Sequence, residues 1–413
     1  MAVPKLRFKD FDQDWTGLKI KDLVKSLDAG VSVNSEEVEP QEYEYSVLKT
    51  SCISSGYFDE NERKRVLQDG EIQRLKEPVL DDSILMSRMN TPLLVGMNAY
   101  VFKAPKNTFL PDRLWQLKID NNKTVTRWLA FYLGSDQGLN QIRDLASGTS
   151  NSMKNITKPD VLNIDLFAPQ KEEQTKIASF LSNVDEKISQ LTQKHALLSQ
   201  YKQGMMQKLF SQQLRFKADD GSEFGEWEDK PLNEIASKRS GKNKDGSISE
   251  VLTNSATQGI IKQSDYFERE IVTESNLNGY YIVNLDDFVY NPRISVHAPV
   301  GPIKRNKKCL GVMSPLYTVF TVIQGNLKYL EYFFDSNFWH DYVKGVANSG
   351  ARHDRMNITN KDFFDMPILY PCLEEQTKIA NFLSAIDQKI EVVAQQIEQA
   401  KTWKKGLLQQ MFV

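Results

Sequence analysis

The stretch Pro169-Gln-Lys-Glu-Glu-Gln-Thr-Lys-Ile-Ala-Ser-Phe-Leu-Ser-Asn-Val-Asp-Glu-Lys-Ile188 returns in the same chain as Pro371-Cys-Leu-Glu-Glu-Gln-Thr-Lys-Ile-Ala-Asn-Phe-Leu-Ser-Ala-Ile-Asp-Gln-Lys-Ile390. Fourteen of the twenty positions are identical, whereas the long segments ahead of each copy match only at scattered points. The chain is therefore a duplicated unit in which one part is held constant and another has diverged.

The constant part reads as helix, because its apolar residues recur at alternating steps of three and four. Placing heptad position d at Ile177, Val184, Leu191, Leu198 and Met205 puts a at Leu181, Ile188, His195, Lys202 and Leu209. The second copy keeps the register, with d at Ile379, Ile386, Val393, Ala400 and Leu407 and a at Leu383, Ile390, Ile397, Lys404 and Met411. Five heptads in each copy make a coiled-coil seam, and each helix has a matched partner in its own chain. Pro169 and Pro371, each followed by a Glu-Glu pair suited to the positive end of a helix dipole, mark the starts. A helix of about 40 residues at about 1.5 Å per residue is about 60 Å long, the dimension of a spacer. His195 falls on the seam, where a register-setting polar residue is a better reading than a ligand.

Ahead of each helix lies a region with short β-branched and aromatic runs, such as Leu94 to Phe102, Tyr280 to Val283 and Tyr317 to Val322, broken by Gly, Pro and Asn. The expected class is α+β: a first globular domain over 1–168, a helix over 169–212, a second domain over 213–370 and a helix over 371–413. The domain entrances correspond, with Leu6-Arg-Phe-Lys and Trp15 against Leu214-Arg-Phe-Lys and Trp227. So do the exits, where Ser147-Gly148, Asn155-Ile-Thr157 and Asp160 align with Ser349-Gly350, Asn357-Ile-Thr359 and Asp362.

Composition narrows the function. At 413 residues and 40% hydrophobic the chain is long enough for two or more ordinary domains with real cores. A net charge of −2 gives no general affinity for nucleic acid, so any such function must rest on local clusters. Cys52, Cys309 and Cys372 are widely spaced and supply neither a disulfide framework nor a zinc site, which fits a reducing, cytoplasmic compartment. No apolar run reaches the length of a membrane span. Phosphate-binding, dinucleotide, zinc-protease and serine-nucleophile signatures are missing, and the four histidines are scattered, so no metal site and no catalytic residue is expected.

What remains is a set of polar and basic loops. Arg63, Lys64, Arg65 and Arg88 in the first domain, and Lys238, Arg239, Lys304, Arg305 and Lys307 in the second, are candidates for phosphate contacts, with an ordinary solvated face as the equal alternative. The loops inside the matched frames are more suggestive, because they differ where their borders agree. Thr149, Asn151 and Lys154 stand in one, and Arg352, His353 and Arg355 in the other, all able to hydrogen-bond base edges. Arg88 with Asn90, and Arg293, are expected in similar places after a hydrophobic run in each domain.

With those residues in place, the chain resembles the specificity subunits of type I restriction-modification systems over essentially its full length. That family's helices open with a Pro-x-x-Glu-Gln-x-Lys-Ile-Ala-x-Phe-Leu-like pattern, found here at Pro169 to Leu181 and Pro371 to Leu383. The resemblance implies an antiparallel helix pair carrying two target-recognition domains in a pseudo-twofold arrangement, each reading one half of an asymmetric, bipartite double-stranded DNA site. It implies a non-catalytic adaptor that binds no cofactor itself. Two modification subunits would bind S-adenosylmethionine and methylate adenine, and restriction subunits would use ATP and Mg. A coiled-coil scaffold with two protein-binding heads and no DNA contact is the alternative that the heptads alone leave open.

Overall fold

A computed structural model describes residues 3–148, 152–266, 274–348 and 354–412. The chain forms two compact units, Met1–Thr192 with Gln395–Val413, and Gln193–Ala394. Each unit contains a mixed α+β body, the first half of one long helix and the second half of the other. Those helices run Lys171–Phe210 and Leu373–Met411.

In the first unit a four-stranded antiparallel sheet is ordered Val24–Ala29, Leu114–Ile119, Ser83–Ser87, Asn98–Val101. Alternating apolar residues of these strands face the helix Thr126–Gly134, whose Trp128, Leu129, Tyr132 and Leu133 are wholly buried. Ser135 ends that helix in extended conformation and its Oγ accepts from Gly138 N, capping the next helix, Asp136–Asp144. The strand Thr16–Lys19 pairs with Asp165–Ala168, which delivers the chain to the start of the first long helix.

The second unit repeats this frame. Its four-stranded sheet runs Ala236–Lys238, Thr318–Val322, Phe288–Tyr290, Ile303–Arg305, backed by the helix Leu327–Asp335. Glu228–Pro231 pairs with Pro367–Tyr370 ahead of the second long helix. Around the shared frame the units differ. The first adds a three-stranded sheet, Arg63–Val66, Tyr45–Leu48, Thr108–Phe109, while the second adds two separate two-stranded ribbons.

The long helices join the cores seam-first. In the first unit Ile177, Leu181, Val184 and Ile188 pack with Leu407, Met411, Phe412 and the Trp15–Trp128 pair. In the second, Ile379, Leu383 and Ile386 pack with Met206, Leu209 and Phe210, with Ile390 half-buried at the edge. Leu191, Val393 and Ile397 are buried and Leu198 is half-buried. The seam lysines reach across: Lys404 Nζ lies 2.6 Å from Asp185 in the first unit, and Lys202 Nζ 2.7 Å from Asp387 in the second. Within each unit the two helix halves are therefore antiparallel. The seam departs from strict heptads at Met205, which is half-buried while Met206 and Phe210 are buried. Here the helix faces Tyr329 and Phe333 of the domain body, and a straight α-helix drifts about 20° per heptad from a 3.5-residue repeat.

The repeated Glu-Gln anchors body to helix. Glu173 is buried and accepts from Arg7 Nε and Nη2, each at 2.8 Å. Gln174 accepts from Thr124 and from Val125 N and donates to Pro169 O. Glu375, also buried, takes Arg215 and the Trp227 indole N–H, and Gln376 accepts from Asn326 N while donating to Pro371 O. The Leu-Arg-Phe-Lys entrances thus exist to meet the helices, with Phe8 on Phe180 and Phe216 on Phe382 edge-to-face. Leu214 N–H donates to Lys208 O at the end of the helix that leads into it, and Leu6 N–H makes the matching bond to Gln410 O, 404 positions away. The same contact is local in one unit and long-range in the other.

Candidate nucleic-acid interface

In the first unit the strand Ser83–Ser87 emerges from the core into Arg88 and Met89–Asn90, which pair antiparallel with Lys154–Asn155. Asn90 lies opposite Lys154, Met89 opposite Asn155, and Ile156 N–H donates to Arg88 O at 3.0 Å. On its other edge Asn155 exchanges two 2.9 Å bonds with Ser147, closing the variable loop. The Asn-Ile-Thr frame then ends in a helix cap, with Thr157 Oγ1 accepting from Asp160 N. Such a cap contributes about 1 kcal/mol and fixes where the loop stops.

The second unit has the same plan. Phe288–Tyr290 emerges into Asn291–Ser295, which bridges antiparallel to the segment ending in Thr359, itself a cap for Asp362 N. Ile294 N–H donates to Asp354 O and Met356 N–H to Pro292 O, which makes Arg293 and Arg355 a non-hydrogen-bonded cross-strand pair on one face. Asn348 bonded to Asn357 closes the loop. Between closures lie seven residues in the first unit (148–154) and eight in the second (349–356). Beside Arg355 opens a cleft of about 360 Å³ between Tyr290, Pro292, Leu316, Asn357 and Phe363.

The frame shows that Arg88 and Arg293 are not in equivalent places, contrary to the sequence expectation. Counted from Asn-Ile-Thr, Arg88 stands opposite Ile156 and so matches Tyr290, while Arg293 matches Thr91. The hydrophobic runs used to align them lie on different numbers of sheet residues. Arg88 is half-buried and its Nε is shielded without a partner, whereas Arg293 is exposed. Asn90 is tied locally, to Ser87 and Thr91, and Lys154 Nζ to Gly148 O at 2.9 Å. Thr149, Asn151, Arg352 and His353 lie outside the described residues.

The basic clusters expected as loops are largely strand. Arg63, Lys64 and Arg65 form the strand beside Tyr45–Leu48, and Glu36, Glu37 and Glu44 from neighbouring segments make a charged strand tolerable. Lys64 is bonded to Glu37, holding that carboxyl below its usual range, and Arg65 to Glu36, which raises the guanidinium further. Lys304 and Arg305 lie on Ile303–Arg305. Lys304 pairs with Asp335, Arg305 with Asp286 and Glu331, Lys307 with Glu331, and Arg239 with the buried Asp287. Lys238 donates to Asn360, at the foot of the loop frame. By contrast, among the described residues Arg293 has no side-chain partner and Arg355 has only Asp354, at 3.7 Å.

Gly301 holds this geometry. At φ 81° a Cβ there would sit 2.1 Å from Asn291 O, so Gly301→Ala must push apart the backbone that carries Arg293. The backbone term alone is about 1–3 kcal/mol. A lower urea midpoint than wild type is expected, and an unchanged midpoint would show that the turn is not closed in this way.

Among the described residues no group of His, Cys, Asp or Glu side chains could hold a metal ion, and no helix is long and apolar enough to cross a membrane. The family model for the type I restriction modification DNA specificity domain matches residues 12–200 and again 225–402. The chain belongs to this family.

Two Methanocaldococcus jannaschii specificity subunits of type I restriction enzymes are relatives of this family member. One, provisionally named for MjaX, is 25% identical over 421 residues, covering 98% of this chain and 94% of its own. The other, MjaVIII, is 24% identical over 415 residues, covering 96% and 91%. The crystal structure of a type I S subunit from M. genitalium matches with a TM-score of 0.56 at 16% identity over 100% of this chain and 99% of that one. A chain from a structural study of type I restriction-modification assembly matches at 0.55, also with 16% identity, over 96% of this chain and 97% of that one. These likenesses carry the fold: tandem specificity domains of mixed helix and strand with long helices. The function of a type I specificity subunit is DNA sequence recognition, which fits the absence of catalytic signatures in this sequence. Sequence reasoning missed Arg7, Arg215 and Trp227 as partners of the Glu-Gln repeat, although the matched entrances were their signal.

Proposed function

We propose that residues 1–168 and 213–370 are target-recognition domains, each reading one half of an asymmetric bipartite DNA site. The helix segments 169–212 and 371–413 set the distance between half-sites and dock two modification subunits that methylate adenine with S-adenosylmethionine. Restriction subunits using ATP and Mg complete the system in the cytoplasm. The observation that carries this reading is that one frame, a strand end paired to a capped loop, recurs in both units with different residues in it: Asn90 opposite Lys154 in one and, one register position further on, Arg293 opposite Arg355 in the other. Like frames with unlike contents suit two different half-sites. Lys64, Arg65, Lys238, Arg239, Lys304, Arg305 and Lys307 serve as positioning contacts to phosphates, for which their present carboxylate or amide partners must be exchanged.

Exchanging residues 213–370 for the corresponding domain of another specificity subunit should change one half of the methylated sequence and leave the other half intact. Methylation mapping in cells that carry the chain and its methyltransferase reads this directly. A change in both halves would end the modular reading.

A further inference from the structure

We infer that the half-site read by the second unit contains two adjacent G·C pairs, one contacted by Arg293 and its neighbour by Arg355; this rests on the recognition role proposed above. The two guanidiniums stem from directly opposed residues whose flanking bonds, Ile294 N to Asp354 O and Met356 N to Pro292 O, are both 2.9 Å. A non-hydrogen-bonded pair of this kind has Cα atoms about 4.5 Å apart with side chains on one face. Like charges directly opposite destabilise a β pair. Elsewhere in the unit Arg239, Lys304, Arg305 and Lys307 are each matched by a carboxylate at the protein's own surface or core. Here, among the described residues, the one such group is Asp354, 3.7 Å from Arg355 and itself half-exposed. The pair is therefore relieved by a ligand rich in acceptors and placed on a spacing of a few ångströms.

Stacked base pairs rise about 3.4 Å, close to the separation of the two residues, and guanine presents O6 and N7 together for a bidentate guanidinium. The tip of the turn decides between base edges and phosphates. Ser295 and Ala298 bridge across it, and Val296, at the apex, is 94% exposed. An isopropyl group gains nothing against a phosphate, but in the major groove it meets base edges and thymine methyls. Turn, apolar apex and arginine pair together form a reading head for the groove.

The test uses the chain assembled with its modification subunits. The half-site that follows residues 213–370 is mapped, and dissociation constants at one salt concentration are compared for the mapped duplex and for duplexes with single G·C to A·T replacements. Wild type should lose about 5- to 150-fold at each of two adjacent positions. Arg293→Ala should abolish discrimination at one of them and Arg355→Ala at the other, with the opposite half-site read as before. Arg293→Lys should recover little, since an ammonium lacks the fork. A mapped half without adjacent G·C pairs overturns the inference. So does a loss in both variants that is uniform across sequences and lowers the salt slope by about one per arginine, the mark of phosphate contacts. Either result leaves the recognition role standing, whereas methylation independent of this chain would remove that role itself.

Discussion

Removing residues 191–197 together with 392–398 should shorten the spacer between the two half-sites by about three base pairs and leave both half-sites unchanged. Seven residues remove about 10.5 Å of helix, and DNA rises about 3.4 Å per base pair. A whole heptad preserves the seam, so Ile188 is followed in register by Leu198 and Ile390 by Ala400. The cut leaves the ion pairs Lys404–Asp185 and Lys202–Asp387 on either side of it, each within its own unit. Three base pairs also turn DNA by about 100°, at about 10.5 base pairs per turn, so weaker binding is expected alongside the changed spacing. Deleting four residues from each helix instead breaks the register and should yield no methylating complex. A methylation map with the original spacing after the heptad deletion would show that something other than helix length sets the distance.

The helices were legible because their information is local: Ile177, Leu181, Val184 and Ile188 declare a buried stripe within a few turns, and the second copy repeats it. The Asn-Ile-Thr frame was legible for the same reason, since Thr157 caps Asp160 three residues away. What the sequence hid was pairing over distance. Glu375 and Arg215 are 160 positions apart, so the repeat announced that Glu-Gln matters without saying to what it is bonded. The basic runs misled in a complementary way. Lys304 to Lys308 looks like free charge until Asp286, Glu331 and Asp335 are folded against it, whereas Arg293 and Arg355, among the described residues, keep their charge largely uncompensated. Alignment of Arg88 with Arg293 failed because hydrophobic runs are an elastic measure, whereas hydrogen-bond register counts residues.

That long-range pairing predicts the largest effect on stability. Glu375→Ala should destabilise the second unit by about 3–5 kcal/mol, at the lower end of that range because Arg215 is 20% exposed and regains some hydration. The carboxylate has no solvent contact, and three donors converge on it: two Arg215 nitrogens at 3.1 and 2.8 Å and the Trp227 indole at 2.9 Å. The hydrogen bond to Glu375 raises the Arg215 pKa further, but arginine is charged at neutral pH without it, so the guanidinium keeps its charge when the partner is lost. Replacing both partners, Arg215→Met with Glu375→Leu, should recover much of the loss, because the cost lies in the charge left unpaired. Urea unfolding followed by tryptophan fluorescence reads this well, since Trp227 loses its own hydrogen bond in the single variant. Two compact units make a single two-state transition unsafe to assume, and the expected signature is an early transition at the second unit with the first left near its wild-type midpoint. Glu173→Ala should produce the mirror result through Arg7. A shift below about 1 kcal/mol in both variants would mean that the buried Glu-Arg pairs do not hold body to helix, and the reason for the repeated Glu-Gln would have to be sought on the helix alone.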